Sequence, residues 1–510
     1  MSNIFPSLFR TQTDLSEEDR RRGIRWLMAD GSCSMAMVTL QGGPFLAGFA
    51  IALGASNYEV GLLATIAFAS QFMQLVGLYL FKKFPRRRGT VVLAAGLSRA
   101  LWVFIILTPV LFLDRGVTFL LQWVLFSTLV GAVAGPAWNS LIRDIVPEDR
   151  MGSVFSTRMV IGMVLSVVLT VGGGYFVDTW KVWYPGAPLY GYSILFGLGF
   201  LFAAVGTFAI SRLPEPELKL EEGAPMGTLL QRPLKDHNFR GLLGYVGVWT
   251  FAVNLAGPFF IVYLLKRLDY SMTLVTALVV TSQVANLFFL RIWGRLADRF
   301  SNKSVLRVSS PLFLIAVLAW AFTTLPEKHF LTLPLLFGIH ILSGMSVAGV
   351  TLASTNIALK LSPREQAHAY MTVHGLTAAV AGGLAPILGG MFADFFATRE
   401  LGIQLNWAAS GEAIQMHAIN FKALDFLFLI AFAVGLYSLR RLGKVTEQGE
   451  VEEKVVRQEL LRETFSTVRS IGTIPGVRYM AAGPVSAVYS LLKRRGRDEE
   501  SNEDGVEHKP

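Results

Sequence analysis

From Arg212 to Arg240 the chain reads RLPEPELKLEEGAPMGTLLQRPLKDHNFR, its least hydrophobic interior stretch. Six long apolar segments precede it and six follow. A run of roughly 20 apolar residues is long enough to cross the hydrocarbon core of a bilayer as a helix. The polar stretch therefore reads as a linker between two membrane-embedded halves.

Composition agrees. Of 510 residues, 53% are hydrophobic and only 16% charged, where an average soluble domain carries about 25% charged residues. In lipid every backbone polar group needs an internal partner, so spanning runs must be helical unless they close a barrel. A barrel would show alternating segments of about ten residues, and no sustained alternation is evident. The single cysteine, Cys33, excludes a disulfide scaffold and a cysteine zinc cluster. There is no GxxxxGK[ST], HExxH or GxSxG motif, so ATP-driven pumping and the familiar hydrolytic chemistries are not expected, nor is any metal or cofactor. The net charge of +10 is placed as membrane orientation demands, and nucleic acid is not an expected partner.

The expected spans are 26–53, 58–81, 89–113, 117–142, 155–177, 190–211, 241–265, 271–292, 304–325, 332–359, 368–393 and 420–440. They divide the chain into a segment 1–25, a six-helix bundle 26–211, the linker 212–240, a second bundle 241–441 and a charged tail 442–510. Ser16 with Asp19 resembles a helix cap in the first segment. Cytoplasmic loops are rich in Lys and Arg. One side carries only Arg115, Lys181, Lys266, Arg267, Lys328, Arg399 and Lys422, with Arg99 inside a span. The other basic residues lie on the side of the termini, so both ends are expected in the cytoplasm of a multi-pass protein of the cell (plasma or inner) membrane. The longest outer loops are 178–192, rich in Trp and Tyr, and 394–419. In the tail, Val451, Val455, Leu460, Phe465 and Val468 form a modest helical pattern. Lys493, Arg494, Arg495 and Arg497 could lie near anionic lipid; a solvated tail is the plainer reading.

The two halves repeat each other. RDIVPEDRMGSVFSTRM leads to VGGGYFVD at 171–178, and LKLSPREQAHAYMTVHG leads to ILGGMFAD at 387–394. One offset pairs Pro147 with Pro363, Gly173 with Gly389, Gly174 with Gly390, Phe176 with Phe392 and Asp178 with Asp394. A second pairing links QGGPFL at 41–46 with NLAGPFF at 254–260. Each places Gly-Pro in mid-span: Gly43 and Pro44 in the first, Gly257 and Pro258 in the seventh. Proline removes a helix hydrogen bond and glycine permits close backbone approach. Paired interruptions in corresponding positions point to a midplane substrate site, or to simple kinks that serve as moving parts.

After the eighth span, Gly294 to Arg307 read GRLADRFSNKSVLR. This resembles the signature loop of the major facilitator superfamily, G-x-L-a-D-r-x-G-r-[KR]: Gly294, Leu296, Asp298, Arg299 and Lys303 match, and Ser301 replaces a glycine. The first-half counterpart, GLYLFKKFPRRRG, keeps its basic cluster but has Phe81 where the acid would stand. RDIVPEDRMG at 143–152, with Arg143 and Asp144, is similar to the loop after the fourth helix in many members. The resemblance covers residues 24 to 441. It implies an all-α integral membrane fold of twelve transmembrane helices in two pseudo-symmetric six-helix bundles. It also implies a central site built largely from the first, fourth, seventh and tenth helices, and a conformational latch of Gly294, Arg295, Asp298, Arg299, Lys303, Arg143 and Asp144. A carboxylate at a helix end can pair with Arg or accept from exposed helix N–H groups.

Ionisable residues within a bilayer are costly and face a cavity or a partner. Arg99 lies about ten residues into its span, about 15 Å along the axis at 1.5 Å per residue. It is a candidate for ion pairing or anion binding. Asp30, about one turn into the first span, is a candidate proton carrier, a structural ion pair with Arg99 among its options, or a helix-end cap. His340 and His374 are candidate relays or packing residues. Gln41 and Asn254 gain interest from the adjoining Gly-Pro breaks, beside Gln71, Gln74, Gln283 and Asn286. The candidate substrate set is thus Gln41, Gly43, Pro44, Arg99, Asn254, Gly257, Pro258 and His340.

The function these features imply is secondary active transport of a small molecule by alternating access, with a proton as the expected coupling ion, by a monomer in contact with lipid. The alternatives are a lipid flippase and, from another class, a non-transporting sensor or assembly protein that kept the fold. A membrane enzyme would need an acid-base or metal site, and none stands out.

Overall fold

The computed structural model describes residue 12 and residues 15–83, 86–217, 226–324, 327–409 and 412–471. The basic cluster Lys493 to Arg497 lies outside them. Among the described residues eleven helices are long and apolar enough to cross a membrane. In chain order they are α1 (Glu17–Ala52), α2 (Asn57–Leu80), α3 (Arg87–Ile106), α4 (Gly116–Ile145), α5 (Glu148–Trp183), α6 (Pro188–Ser211), α7 (His237–Arg267), α8 (Met272–Arg299), α9 (Asn302–Trp320), α10 (Thr332–Leu361) and α11 (Arg364–Phe396). The twelfth, α12 (Leu424–Leu442), has 19 residues and carries Asp425, Arg440 and Arg441. A short linker helix, Met226–Lys235, lies between α6 and α7, and a tail helix, Glu453–Ile471, follows α12.

The helices segregate into two sets of six. In the first, α1 packs on α6 and α5, and α4 on α2 and α3; in the second, α10 packs on α8 and α9, and α7 on α11 and α12. The main joints between the sets are α2 with α11 and α5 with α8, with smaller contacts of the second parts of α1 and α7. Many helices carry local start signals. Ser16 caps α1 through the Asp19 N–H, as its spacing predicts, and Asp236, Ser271 and Ser301 cap α7, α8 and α9 in the same way.

Several boundaries differ from the sequence reading. The Trp- and Tyr-rich stretch 178–192 is mostly helix: α5 runs to Trp183, α6 begins at Pro188, and the Trp180 indole N–H closes the turn on the Ala187 carbonyl at 3.1 Å. The stretch 394–419 is not an open loop. After α11 ends at Phe396, Glu400–Ala409 and Glu412–Lys422 pair as an antiparallel hairpin with a register shift after Ile403. Gly294 to Arg299, read as loop, are the last turns of α8. In the tail helix Val456, not Val455, is buried with Leu460.

Candidate functional site

Both Gly-Pro stretches interrupt their helices. The first part of α1 ends at Gln41; Gly42 is extended and Gly43 sits at φ +50° before helix resumes through Pro44. A side chain at Gly43 would be strained there, so this position needs glycine. In α7 the helix stops at Ala256 and resumes at Phe259, with Gly257 and Pro258 still in helical φ/ψ, a softer break; a wide π turn, Tyr263–Arg267, follows. The post-break segment Gly43–Ala52 packs on Phe259–Val262 and on α8. The segments that follow the two interruptions thus meet across the two sets of helices.

The polar neighbours of these breaks do not. Gln41 is buried and donates to the Phe196 carbonyl at 3.1 Å, so it ties α1 to α6 within its own set. Asn254 donates to Thr250 on its own helix at 2.8 Å. A ring nitrogen of His340 lies 2.8 Å from the Leu336 carbonyl, and the ring meets Trp320 edge-on, so it packs in the second set's core. Sequence spacing cannot tell which way a polar side chain turns: Gln41 and His340 are buried within their own sets, and Asn254 bonds the backbone of its own helix.

A charged cluster lies inside the first set. Asp30 is 3.5 Å from Arg99 on α3 and 3.4 Å from Arg158 on α5, and accepts from Ser34 at 3.0 Å. Arg99 also donates to the Ala203 carbonyl at 3.1 Å, Thr207 at 2.7 Å and Ser34 at 3.0 Å. The pair Asp30–Arg99 matches one of the arrangements the sequence left open. Arg158 was missed; it stands only three residues inside its expected span.

The ends away from the termini are joined twice, by the same device. Asp178, at the end of α5, accepts the N–H groups of Met272 (3.0 Å) and Thr273 (2.7 Å) at the start of α8, and the Thr273 hydroxyl. Asp394, at the end of α11, accepts those of Asn57 (3.2 Å) and Tyr58 (2.9 Å) at the start of α2. These are the two aspartates that the internal repeat aligns. Beneath them glycines allow contact: a Cβ on Gly174 would lie 2.2 Å from the Thr276 hydroxyl, and one on Gly61 2.2 Å from the Pro386 carbonyl. The Thr65 hydroxyl donates to the Gly383 carbonyl at 2.8 Å, and Lys266 to that of Ala55 at 2.7 Å.

At the terminal end the expected latch residues have other partners. Arg295 pairs with Glu463 at 2.7 Å and Arg299 with Glu459 at 2.5 Å, both on the tail helix. Lys303 holds Glu450 at 2.7 Å, and its N–H donates to Glu447 at 2.7 Å, which also meets Lys360 at 3.1 Å. Burial would raise the Glu450 carboxyl, but the Lys303 hydrogen bond, the Glu447 N–H and the charges of Lys303 and Arg307 hold it below the ordinary range. Ser301, at the family's glycine position, is extended (φ −160°, ψ 159°) and so needs no glycine. Among the described residues Asp298 makes no ion pair or hydrogen bond; it borders a cavity of about 470 Å³ with Asn302, Asn356 and Lys360. Gly294 is open to space. In the first set the buried Arg87 pairs with Asp144 and lies 3.6 Å from Glu215, which accepts the Arg87 and Arg88 N–H groups at 2.8 and 2.6 Å. Burial pushes the Glu215 carboxyl up, against those hydrogen bonds and charges. Arg143 is exposed, outside this network.

The Major Facilitator Superfamily pattern matches residues 31–386. The chain belongs to the Major Facilitator Superfamily. This superfamily member is thus an integral, multi-pass membrane protein of a transporter family. An MFS-type transporter of Aspergillus terreus is 34% identical over 108 residues, 21% of this chain and 18% of that protein's length. A variant of the nucleoside transporter NupG superposes with a TM-score of 0.65 at 10% identity, covering 83% of this chain and 100% of that one. A D-xylose-proton symporter gives 0.59 at 14% identity over 84% and 99%. A bacterial homologue of the iron transporter ferroportin, in its inward-facing state, gives 0.57 at 13% over 84% and 99%. At such identities the likeness is one of fold.

Proposed function

We propose that this superfamily member is a secondary transporter that carries a small molecule by rocking its two bundles, with both termini in the cytoplasm of the cell membrane. The observation that carries this reading is the duplicated carboxylate joint. Asp178 and Asp394 close the end away from the termini by gripping helix starts on the opposite bundle. Such interfaces are bistable rather than continuously deformable. With the termini inside, the described conformation opens inward. The α1 break supplies non-helical backbone of the kind that lines substrate sites, and the segments after the α1 and α7 breaks pack on each other. In the opposite state the terminal ends close, and Asp298 takes the role the family resemblance gives it. The charged pair Asp30–Arg99 supports ion coupling, with a proton as the coupling ion.

The test is reciprocal accessibility. In a Cys33→Ala background, single cysteines at Thr65 and at Arg143 are labelled with an impermeant maleimide in oriented vesicles. A transporter exposes both positions in turn, and crosslinking one end shut holds the other open to the label. A protein whose Thr65 site never reacts does not alternate, which would leave the sensor reading, the one favoured by the tail helix docked on α8.

A further inference from the structure

Inside the first bundle two guanidiniums face one carboxylate. Arg99 is fully engaged, with Ser34, Thr207, the Ala203 carbonyl and Asp30 around it. Arg158 is not. Among the described residues its one ion pair or hydrogen bond is the 3.4 Å contact with Asp30. Its side chain keeps 21% of its exposure, against 11% for Arg99. It stands ten residues along α5 from Glu148, so about 15 Å from the helix start at 1.5 Å per residue. That is the half of α5 away from its joint with α8. A cation within a bilayer-spanning helix with half a partner is costly, and an anion at its remaining exposed edge would complete it. The surroundings narrow the class. The Trp138 ring centre lies 5.7 Å from the guanidinium carbon, and one turn along α5 Gly162 lets the Met35 side chain lie against the helix. One surplus charge beside aromatic and thioether surface fits a monoanion on an apolar body.

We propose that Arg158 is the anion-binding residue of this protein and that its ligand is an apolar carboxylate, gripped through the planar guanidinium fork, with Asp30 as the internal competitor for that fork; this rests on the transport reading above. The test uses the full chain in nanodiscs at constant ionic strength. Thermal stabilisation is titrated with benzoate and hexanoate, and with the neutral benzamide and hexanamide. The acids stabilise and the amides do not. Losing a charge-assisted hydrogen bond weakens half-saturation by ~10- to 100-fold in Arg158→Gln. Arg158→Lys keeps part of the effect. Asp30→Asn, which removes the competitor, tightens binding. That opposite sign is one that a merely structural ion pair does not produce. Acids and amides acting alike, no stabilisation by either acid, or unaltered binding in Arg158→Gln overturns the assignment. The Thr65 labelling assay separates the two ideas. Alternation without carboxylate binding removes the anion site alone, and a static Thr65 site removes the transport reading.

Discussion

Replacing Asp178 with alanine should open the end away from the termini without unfolding the helix it grips. The structure says why the two effects separate. The start of α8 has its own cap, since Ser271 accepts the Leu274 N–H at 3.3 Å. Asp178 takes the two donors before it, Met272 and Thr273, from the other bundle. Its loss therefore falls on the joint. Each hydrogen bond to a carboxylate is worth ~1.5–3 kcal/mol net when dry. This joint is half-buried and such terms do not add, so ~2 kcal/mol is a fair total, or ~30-fold in the equilibrium between closed and open. The readout is the maleimide rate at Thr65→Cys in the Cys33→Ala background. Thr65 lies in the other joint, between α2 and α11, so the assay asks whether the two open together. A similar rise should follow Asp394→Ala, because α2 is likewise capped by Ser56 through the Glu59 N–H. An unchanged rate with either variant would show that the carboxylates do not hold the bundles together.

Three further outcomes follow from the geometry. Arg87→Ala leaves Glu215 and Asp144 without their shared cation and should cost ~3–5 kcal/mol, as for a buried pair broken on one side; urea or thermal unfolding in micelles measures it. Gln41→Met removes only the tie to the Phe196 carbonyl, so it should lower stability by about 1 kcal/mol and leave ligand-induced stabilisation intact; lost ligand response would restore Gln41 to the site. Glu450 is held below its ordinary carboxylate range, so its contribution to tail docking is present above the unfolded value of 4.5 and is lost as pH falls through the depressed folded value. The protection factors of the tail-helix amides, corrected for intrinsic exchange, should fall on such acidification, and Glu450→Gln should remove most of that pH dependence.

Much of the fold was legible because lipid forces helices and because the chain repeats itself. The aspartates of VGGGYFVD and ILGGMFAD aligned at one offset, yet nothing local shows that each reaches into the other bundle. Their shared partners are backbone N–H groups, which no side-chain pattern marks. Gln41 ties to the Phe196 carbonyl and Asn254 to its own helix backbone, partners that sequence spacing does not reveal. Arg158 sat so near an expected boundary that it read as an inner-end cation. The hairpin after α11 did leave a signal: Leu401, Ile403, Leu405 and Trp407 alternate before Ser410-Gly411, a turn pair. It was outweighed by the helical character of everything around it. The tail partners of Arg295 and Arg299 lie more than 150 residues away in sequence, beyond any local periodicity.

The tail helix is tethered to α12 by a short stretch, and that changes what its ion pairs are worth. Arg295 and Arg299 are largely solvent-exposed, and exposed pairs contribute ~0–1 kcal/mol each. Between separate molecules such contacts would be negligible. On one chain they act at an effective concentration on the order of millimolar, so dilution cannot dissolve them. Ionic strength can, because at ~0.15 M screening already acts over ~8 Å. Raising the ionic strength should therefore loosen the tail helix from Arg295 and Arg299 without any ligand.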